Sequence, residues 1–294
     1  TRWMTQYTIH ILNHNFDPEP ILHQLTLQIL SHDEDIKVVV WDDFSDEDYR
    51  LILTNLRSRY TQPFIHWNLE QKNLGRSAMR QKILDSTVSG WALSIDSDML
   101  PDRDFIRQMI SSLQNESIVY TGRHYYQKEQ PPKPFLLHWY YGMKREIPAQ
   151  DRDPYQHFST GIFAWHGSQR HALSFTTKIS GYGHEDTLFG LFLKEKNIRL
   201  GSSSMRARHL GLSDNEEFIS RQLEAVRNLQ TVVSLYPDYR SHLSLWGSRL
   251  QKIPLLKKFL SREFLLNYCL RKLEQRPEKL RYLDLLKLHE WMKL

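Results

Sequence analysis

The sequence predicts an α/β fold, a mostly parallel β-sheet flanked by helices, with an α-helical C-terminal extension. Three observations support this. Strand-like and helix-like segments alternate from Tyr7 to Ile95, the strand-like ones are apolar runs rich in branched residues, and beyond His209 the pattern is helical alone. YTIHIL (7–12) reads as a strand. Residues 18–32 then place Ile21, Leu22, Leu25, Ile29 and Leu30 at a helical period. IKVVVW (36–41) is a run of the kind a parallel sheet buries, 46–60 is helical, FIHWNL (64–69) strand-like, 76–87 helical, and WALSI (91–95) the next strand. This βαβαβαβ order calls for parallel pairing through crossovers. Residues 122–158 read as a loop rich in aromatics and proline, suited either to hold a ligand against its ring faces or to pack on the core, and STGIFAW (159–165) as a returning strand. The helical region opens with an expected capping box, Ser213 with Glu216, and its first helix ends before Pro237. The expected boundaries are 1–212 for the α/β domain and 213–294 for the extension.

Composition narrows the class. At 294 residues and 40% hydrophobic, the chain can bury a sizeable core, and no apolar stretch approaches the roughly 20 residues of a membrane helix. The opening TRWMTQYTIH lacks the basic-then-apolar order of a secretory signal, so a cytoplasmic location is expected. One cysteine, Cys269, allows neither a disulfide framework nor a cysteine-based zinc site, and any metal is expected on oxygen and imidazole. The net charge of +5 is uneven: residues 249–294 carry 12 Lys and Arg against 5 Asp and Glu. A tail of this kind, with apolar positions such as Leu255, Leu256, Phe259 and Phe264 set among lysines and arginines, suits an anionic membrane surface, an anionic polymer or nucleic acid, or packing on its own α/β domain or on another subunit.

Acids stand where ligands gather in such sheets, at the carboxyl ends of strands. The strand 36–41 runs into Asp42 and Asp43, and the strand 91–95 into Asp96 and Asp98. Taken singly, each has a plainer reading as a helix cap: Asp42, Asp43 and Ser45 before the helix at Asp46, Asp102 or Asp104 before Phe105. Two pairs on one sheet edge suit a hard divalent cation whose shell a phosphate completes. GYGHEDTLFGLFL (181–193) places Glu185 and Asp186 near a helix N-terminus after a glycine loop, where they either cap the helix or serve as a general base.

The ordered blocks ILNHN, VVVWDDFSDED, NLGRSAMRQK, WALSIDSDM, STGIFAW and GYGHEDTLFG resemble the family 2 glycosyltransferases, inverting enzymes of the GT-A fold that use nucleotide sugars. The match runs from Tyr7 to His209. It departs from the family pattern in three places: Asn13-His14-Asn15 stands for Thr-Tyr-Asn, Phe44 for the turn glycine, and Met79-Arg80-Gln81 for Ala-Arg-Asn. The resemblance implies that Asn13 and His14 line a base pocket, that Asp42 or Asp43 accepts from uracil or ribose, that Arg80 approaches base or diphosphate, and that Asp96 faces the ribose. It implies Asp98 and His209 as ligands of Mn²⁺ or Mg²⁺, with His184 a weaker alternative ligand and Arg206 and Arg208 able to touch the diphosphate. Asp186 would be the catalytic base and Glu185 the grip on acceptor hydroxyls.

The expected function is therefore metal-dependent transfer of a hexose or N-acetylhexosamine from a UDP-sugar to a saccharide or lipid-linked saccharide, in bacterial surface polysaccharide assembly. The chain would work in the cytoplasm or at the inner face of the membrane, and nucleic acid is not an expected partner. Two alternatives stay open: a catalytically silent nucleotide-sugar or saccharide-binding module, and a nucleotidyltransferase of related fold.

Overall fold

Branched apolar runs become strands and their amphipathic neighbours become helices, in the expected order. The computed structural model describes residues 6–113, 118–146, 153–176 and 178–294. The chain enters β1 (Gln6–Asn13), α1 (Glu19–Ile29), β2 (Asp35–Asp42), α2 (Glu47–Arg59), β3 (Ile65–Leu69), α3 (Arg76–Ser86) and β4 (Trp91–Asp96). It continues through β5 (Met99–Pro101), α4 (Phe105–Ser112), β6 (Val119–Tyr125), α5 (Leu136–Tyr141), β7 (Ile162–His166), α6 (Glu185–Glu195) and β8 (Leu200–His209). Five further helices complete it: α7 (Asn215–Leu235), α8 (His242–Leu250), α9 (Pro254–Leu260), α10 (Glu263–Gln275) and α11 (Arg281–Lys293).

Eight strands form one sheet in the order β3-β2-β1-β4-β7-β6-β8-β5. The β3-β2-β1-β4 half is parallel throughout. The other half is mixed: β7 runs antiparallel to both β4 and β6, β8 parallel to β6, and β5 antiparallel to β8. Alternation of side chains sends residues of the inner strands to both faces of the sheet, whereas the edge strand β3 is largely exposed. On β2, Ile36, Val38 and Val40 enter the cluster that contains Leu22, Leu25, Phe105 and Met109, whereas Trp41 enters the opposite one with Phe163, Trp165 and Phe189.

Two compact units result. The first contains the sheet, from residues 6–126, 153–176 and 189–211; the second contains 127–146, 178–188 and 212–294. In the second unit, Phe218 of α7 packs with Cys269, Leu273, Leu283 and Leu286 of the last two helices and with Leu137 of α5.

Three local expectations need correction. Asp214, not Ser213, caps α7, because its carboxylate accepts from the N–H of Glu217 at 2.9 Å; the N–H of Ser213 donates instead to His138 Nδ1 at 2.9 Å. Residues 122–158 are not one loop: they include the end of β6 and all of α5, and bury Tyr126, Trp139 and Phe158, while 147–152 lie outside the described residues. The strand expected over 159–165 is Ile162–His166, since Ser159 to Gly161 form the turn that leads into it.

Candidate functional site

Register assembles the strand-end acids. Along β1, Asn13 stands opposite Asp42 of β2, and Leu12 opposite Asp96 of β4. The Asn13 Nδ2 group donates to Asp42 Oδ1 at 3.0 Å, and the same carboxylate accepts from the backbone N–H and hydroxyl of Ser45. Asp42 thus closes the turn after β2 with its side chain. Asp43 crosses to the turn before α3, accepting from the N–H groups of Leu74 (2.6 Å) and Gly75 (3.0 Å), and burial raises its carboxyl pKa despite those bonds. His14 Nδ1 lies 3.0 Å from the Asp43 carbonyl. An open cleft of about 370 Å³ runs beside Asp42, between α2 and the end of β3, lined also by Glu47, Arg50 and Glu70.

Arg80 arrives from α3 and is 2% exposed. Its Nη2 reaches both oxygens of Asp96 at 3.0 Å, while its Nε and Nη1 are buried without a hydrogen-bond partner. A buried guanidinium with unused donors is costly unless something accepts from them. That chemistry suits an anionic or carbonyl-bearing ligand at the strand ends.

Immediately after β4 the chain turns. Ser97 N–H bonds back to Leu12 O at 2.9 Å, and the turn presents Asp98, whose carbonyl accepts from Leu210 N–H at 2.7 Å. Asp98 Oδ2 lies 3.3 Å from His209 Nε2, and its Oδ1 is buried with no hydrogen-bond partner. Burial opposes ionisation of Asp98, but His209 and Arg76 outweigh it and hold the carboxyl below its usual range. The His209 ring is fixed by Tyr126 and His124, at centroid distances of 5.0 and 5.9 Å. At residue 211 any Cβ would enter the space of the Asp98 carboxylate, so the close approach requires glycine. Among the described residues no three His, Cys, Asp or Glu side chains form a metal cage. Asp98, with its unpartnered Oδ1, and His209 are donors of the type a divalent cation takes, and two of them alone would leave the rest of its shell to water or to a ligand.

Of the two arginines expected near a diphosphate, Arg206 lies over the Tyr125 ring at 5.1 Å and faces Asp102 at 3.8 Å. Arg208 keeps a buried Nε without a partner.

In the second unit, the glycine loop turns through positive φ at Gly181 (72°), Gly183 (92°) and His184 (69°) before Glu185 and Asp186 open α6. Glu185 is 5% exposed. The Asn228 Nδ2 group of α7 reaches the carbonyls of Ser180, Tyr182 and Gly183 at 3.0, 3.0 and 3.1 Å. His184 Nδ1 lies 3.2 Å from Thr187 Oγ1, and burial, followed by the charge of Lys287, lowers its pKa to about 4.

Residues 8–171, more than half of the chain, match the sequence profile of glycosyl transferase family 2. The chain belongs to that family. No curated protein sequence matches it. Among solved structures it is similar to a mannosyltransferase from Pyrobaculum calidifontis in complex with GDP-Man and Mn²⁺, at 13% identity and a TM-score of 0.54, over 82% of this chain and 66% of that one. It is also similar to GalNAc-T7 with UDP, GalNAc and Mn²⁺, at 12% identity and a TM-score of 0.54, over 81% of this chain and 49% of that one. The chain spans just under two-thirds of the first and about half of the second. At these identities the likeness shows the GT-A fold alone.

In this family 2 chain, sequence reading missed Asn228 and Gly211. Asparagine inside a helix is a weak signal, since it is poorly suited there without a local partner. Nothing in the pattern around Gly211 announces the carboxylate beside it.

Proposed function

We propose that the chain is an inverting glycosyltransferase that moves a hexose or N-acetylhexosamine from a UDP-sugar to a saccharide or lipid-linked saccharide, in the assembly of a bacterial surface polysaccharide. The observation that carries this reading is the set of buried, unused polar atoms at the strand ends: Arg80 Nε and Nη1, Asn13 Oδ1 and Asp98 Oδ1. Such groups are rarely left without partners in a finished fold, and a nucleoside diphosphate with a cation supplies both the acceptors and the positive charge they lack.

In this reading Asn13 and His14 border the base, and Asp42 and Asp43 hold the turns around it through their bonds to Ser45, Leu74 and Gly75, with lone pairs remaining for uracil or ribose. Arg80 is positioned by its two bonds to Asp96, whose side chain remains 24% exposed and is assigned to the ribose. Asp98 and His209 would hold Mn²⁺ or Mg²⁺, which when bound would supply positive charge to the diphosphate. Asp186 takes the proton from an acceptor hydroxyl as that oxygen bonds to the anomeric carbon and the bond to the diphosphate breaks. Glu185 accepts from neighbouring acceptor hydroxyls. A single displacement of this kind needs one base and forms no covalent sugar on the protein, which gives inversion.

The test is Asp186→Asn. It should abolish sugar transfer while leaving the dissociation constant of the donor within about twofold, since the amide cannot act as the base. Transfer retained at wild-type rate would remove Asp186 from that role. Donor binding without transfer in the wild type, over a broad acceptor panel, would favour a silent binding module.

A further inference from the structure

We propose that the second unit docks on an anionic phospholipid surface through α9, together with the exposed aromatic side chains of α8 and α10. Every residue from Lys252 to Phe259 is exposed, which is unusual for KIPLLKKF, a stretch half of which is aliphatic or aromatic. Leu255 is 83% exposed and Phe259 55%, and they are one helical turn apart on α9. On α10, Phe264 is 70% exposed and stacks on Tyr268 one turn later, at 6.5 Å, with Lys272 Nζ 5.5 Å from the Tyr268 ring centre. On α8, Trp246 is 57% exposed with Arg249 above its ring at 6.0 Å. Only Leu260 of α9 is buried, and His289 of α11 holds its carbonyl at 2.8 Å, so the helix is anchored at one end and open elsewhere.

Charge decides the occupant. From Leu245 to Arg276 there are eight Lys and Arg against two Glu, and between Lys252 and Arg262 there is no acid. A second copy of the chain would bring like charge against like charge, so self-association through this face is disfavoured. A nucleic acid would use the cations and the rings but leave Ile253, Leu255 and Leu256 in water, since base stacking needs aromatic partners. Apolar side chains interleaved with cations match an interfacial helix, whose rings and aliphatics enter the headgroup boundary while lysines and arginines meet lipid phosphates. The cytoplasmic leaflet carries that negative surface. The inference rests on this face alone and stands apart from the reading of the donor site.

Co-sedimentation of the whole chain with phosphatidylcholine vesicles, with and without phosphatidylglycerol, tests it. Binding should favour the anionic vesicles by tenfold or more, given roughly fivefold for each basic residue near the surface. Replacing Lys252, Lys257, Lys258 and Arg262 by Gln should erase the preference. The triple variant Leu255→Ser, Phe259→Ser, Phe264→Ser should bind anionic vesicles at least tenfold more weakly with an unchanged melting temperature, because these side chains contribute little to the core. Three results would overturn the proposal: no binding to either vesicle, binding that the triple variant leaves intact, as for a general polyanion surface, or a dimer in sedimentation equilibrium that the triple variant dissolves.

Discussion

At Phe44 the backbone sits at φ 55°, a left-handed conformation that costs an ordinary residue about 1–2 kcal/mol and glycine much less. The family pattern has glycine at this turn, so the departure seen in the sequence has a physical cost, partly offset by Arg50 lying 5.1 Å from the ring centre. Phe44→Gly is expected to be more stable than Phe44→Ala by about 1 kcal/mol in urea unfolding, since both lose the ring and only alanine keeps the strain. Equal stabilities would show that the turn holds no strain. His10 illustrates a second residue-scale effect, and nothing in a strand of alternating residues announced it. Its Nδ1 must accept, because Trp41 Nε1 can only donate to it, at 3.0 Å; its Nε2 then carries the proton that bonds Thr87 Oγ1 at 2.7 Å. Burial lowers its pKa to about 3. Between that value and the ordinary 6.5 the unfolded chain takes up a proton that the folded chain refuses. Stability is therefore fully present above about pH 6.5 and is lost as pH falls below it, by roughly 1.4 kcal/mol per unit for a fully shifted group. His184 acts in the same direction. Melting temperatures at pH 7, 6 and 5 should fall, and His10→Gln should flatten the slope; an unchanged slope would contradict the assignment.

At the scale of elements, strands and helices were legible because burial repeats with their periods. β1 through β4 match the expected strands to within a residue or two at their ends. Caps were less legible, since Ser213 and Asp214 are adjacent and both competent; the His138 side chain, brought in by α5, takes the Ser213 N–H and leaves the cap to Asp214. The glycine loop before α6 depends on a neighbouring helix in the same way. Three carbonyls converge on Asn228 of α7, so Asn228→Ala leaves them without that donor. The expected outcome is a loss of about tenfold or more in kcat with KM for the donor nearly unchanged, if the loop holds Asp186 in place. A loss confined to donor affinity would contradict that coupling.

For the whole molecule, the parallel half of the sheet followed from the alternation of strand and helix, whereas the mixed half did not. Periodicity tells which face of a strand is buried but not which strand lies beside it, and β7 enters between β4 and β6 from a distant part of the chain. His209 could be singled out only through the family resemblance, and it is the last residue of β8. That it meets Asp98 depends on the pairing of β5 with β8, where Met99 stands opposite His209. The same limit applied to the tail: its amphipathic pattern suited packing or a surface equally, and only the exposure of α9 separates them. In the proposed reading the strand-end cluster is a cation-assisted nucleotide-sugar site. The decisive experiment is calorimetric titration of UDP-sugars into the full chain, with and without Mn²⁺, and into Asp98→Ala. The expected outcome is binding of one UDP-sugar that Mn²⁺ strengthens at least tenfold and that Asp98→Ala reduces to the metal-free level. Donor binding that neither Mn²⁺ nor Asp98→Ala changes, or no donor binding at all, would contradict it.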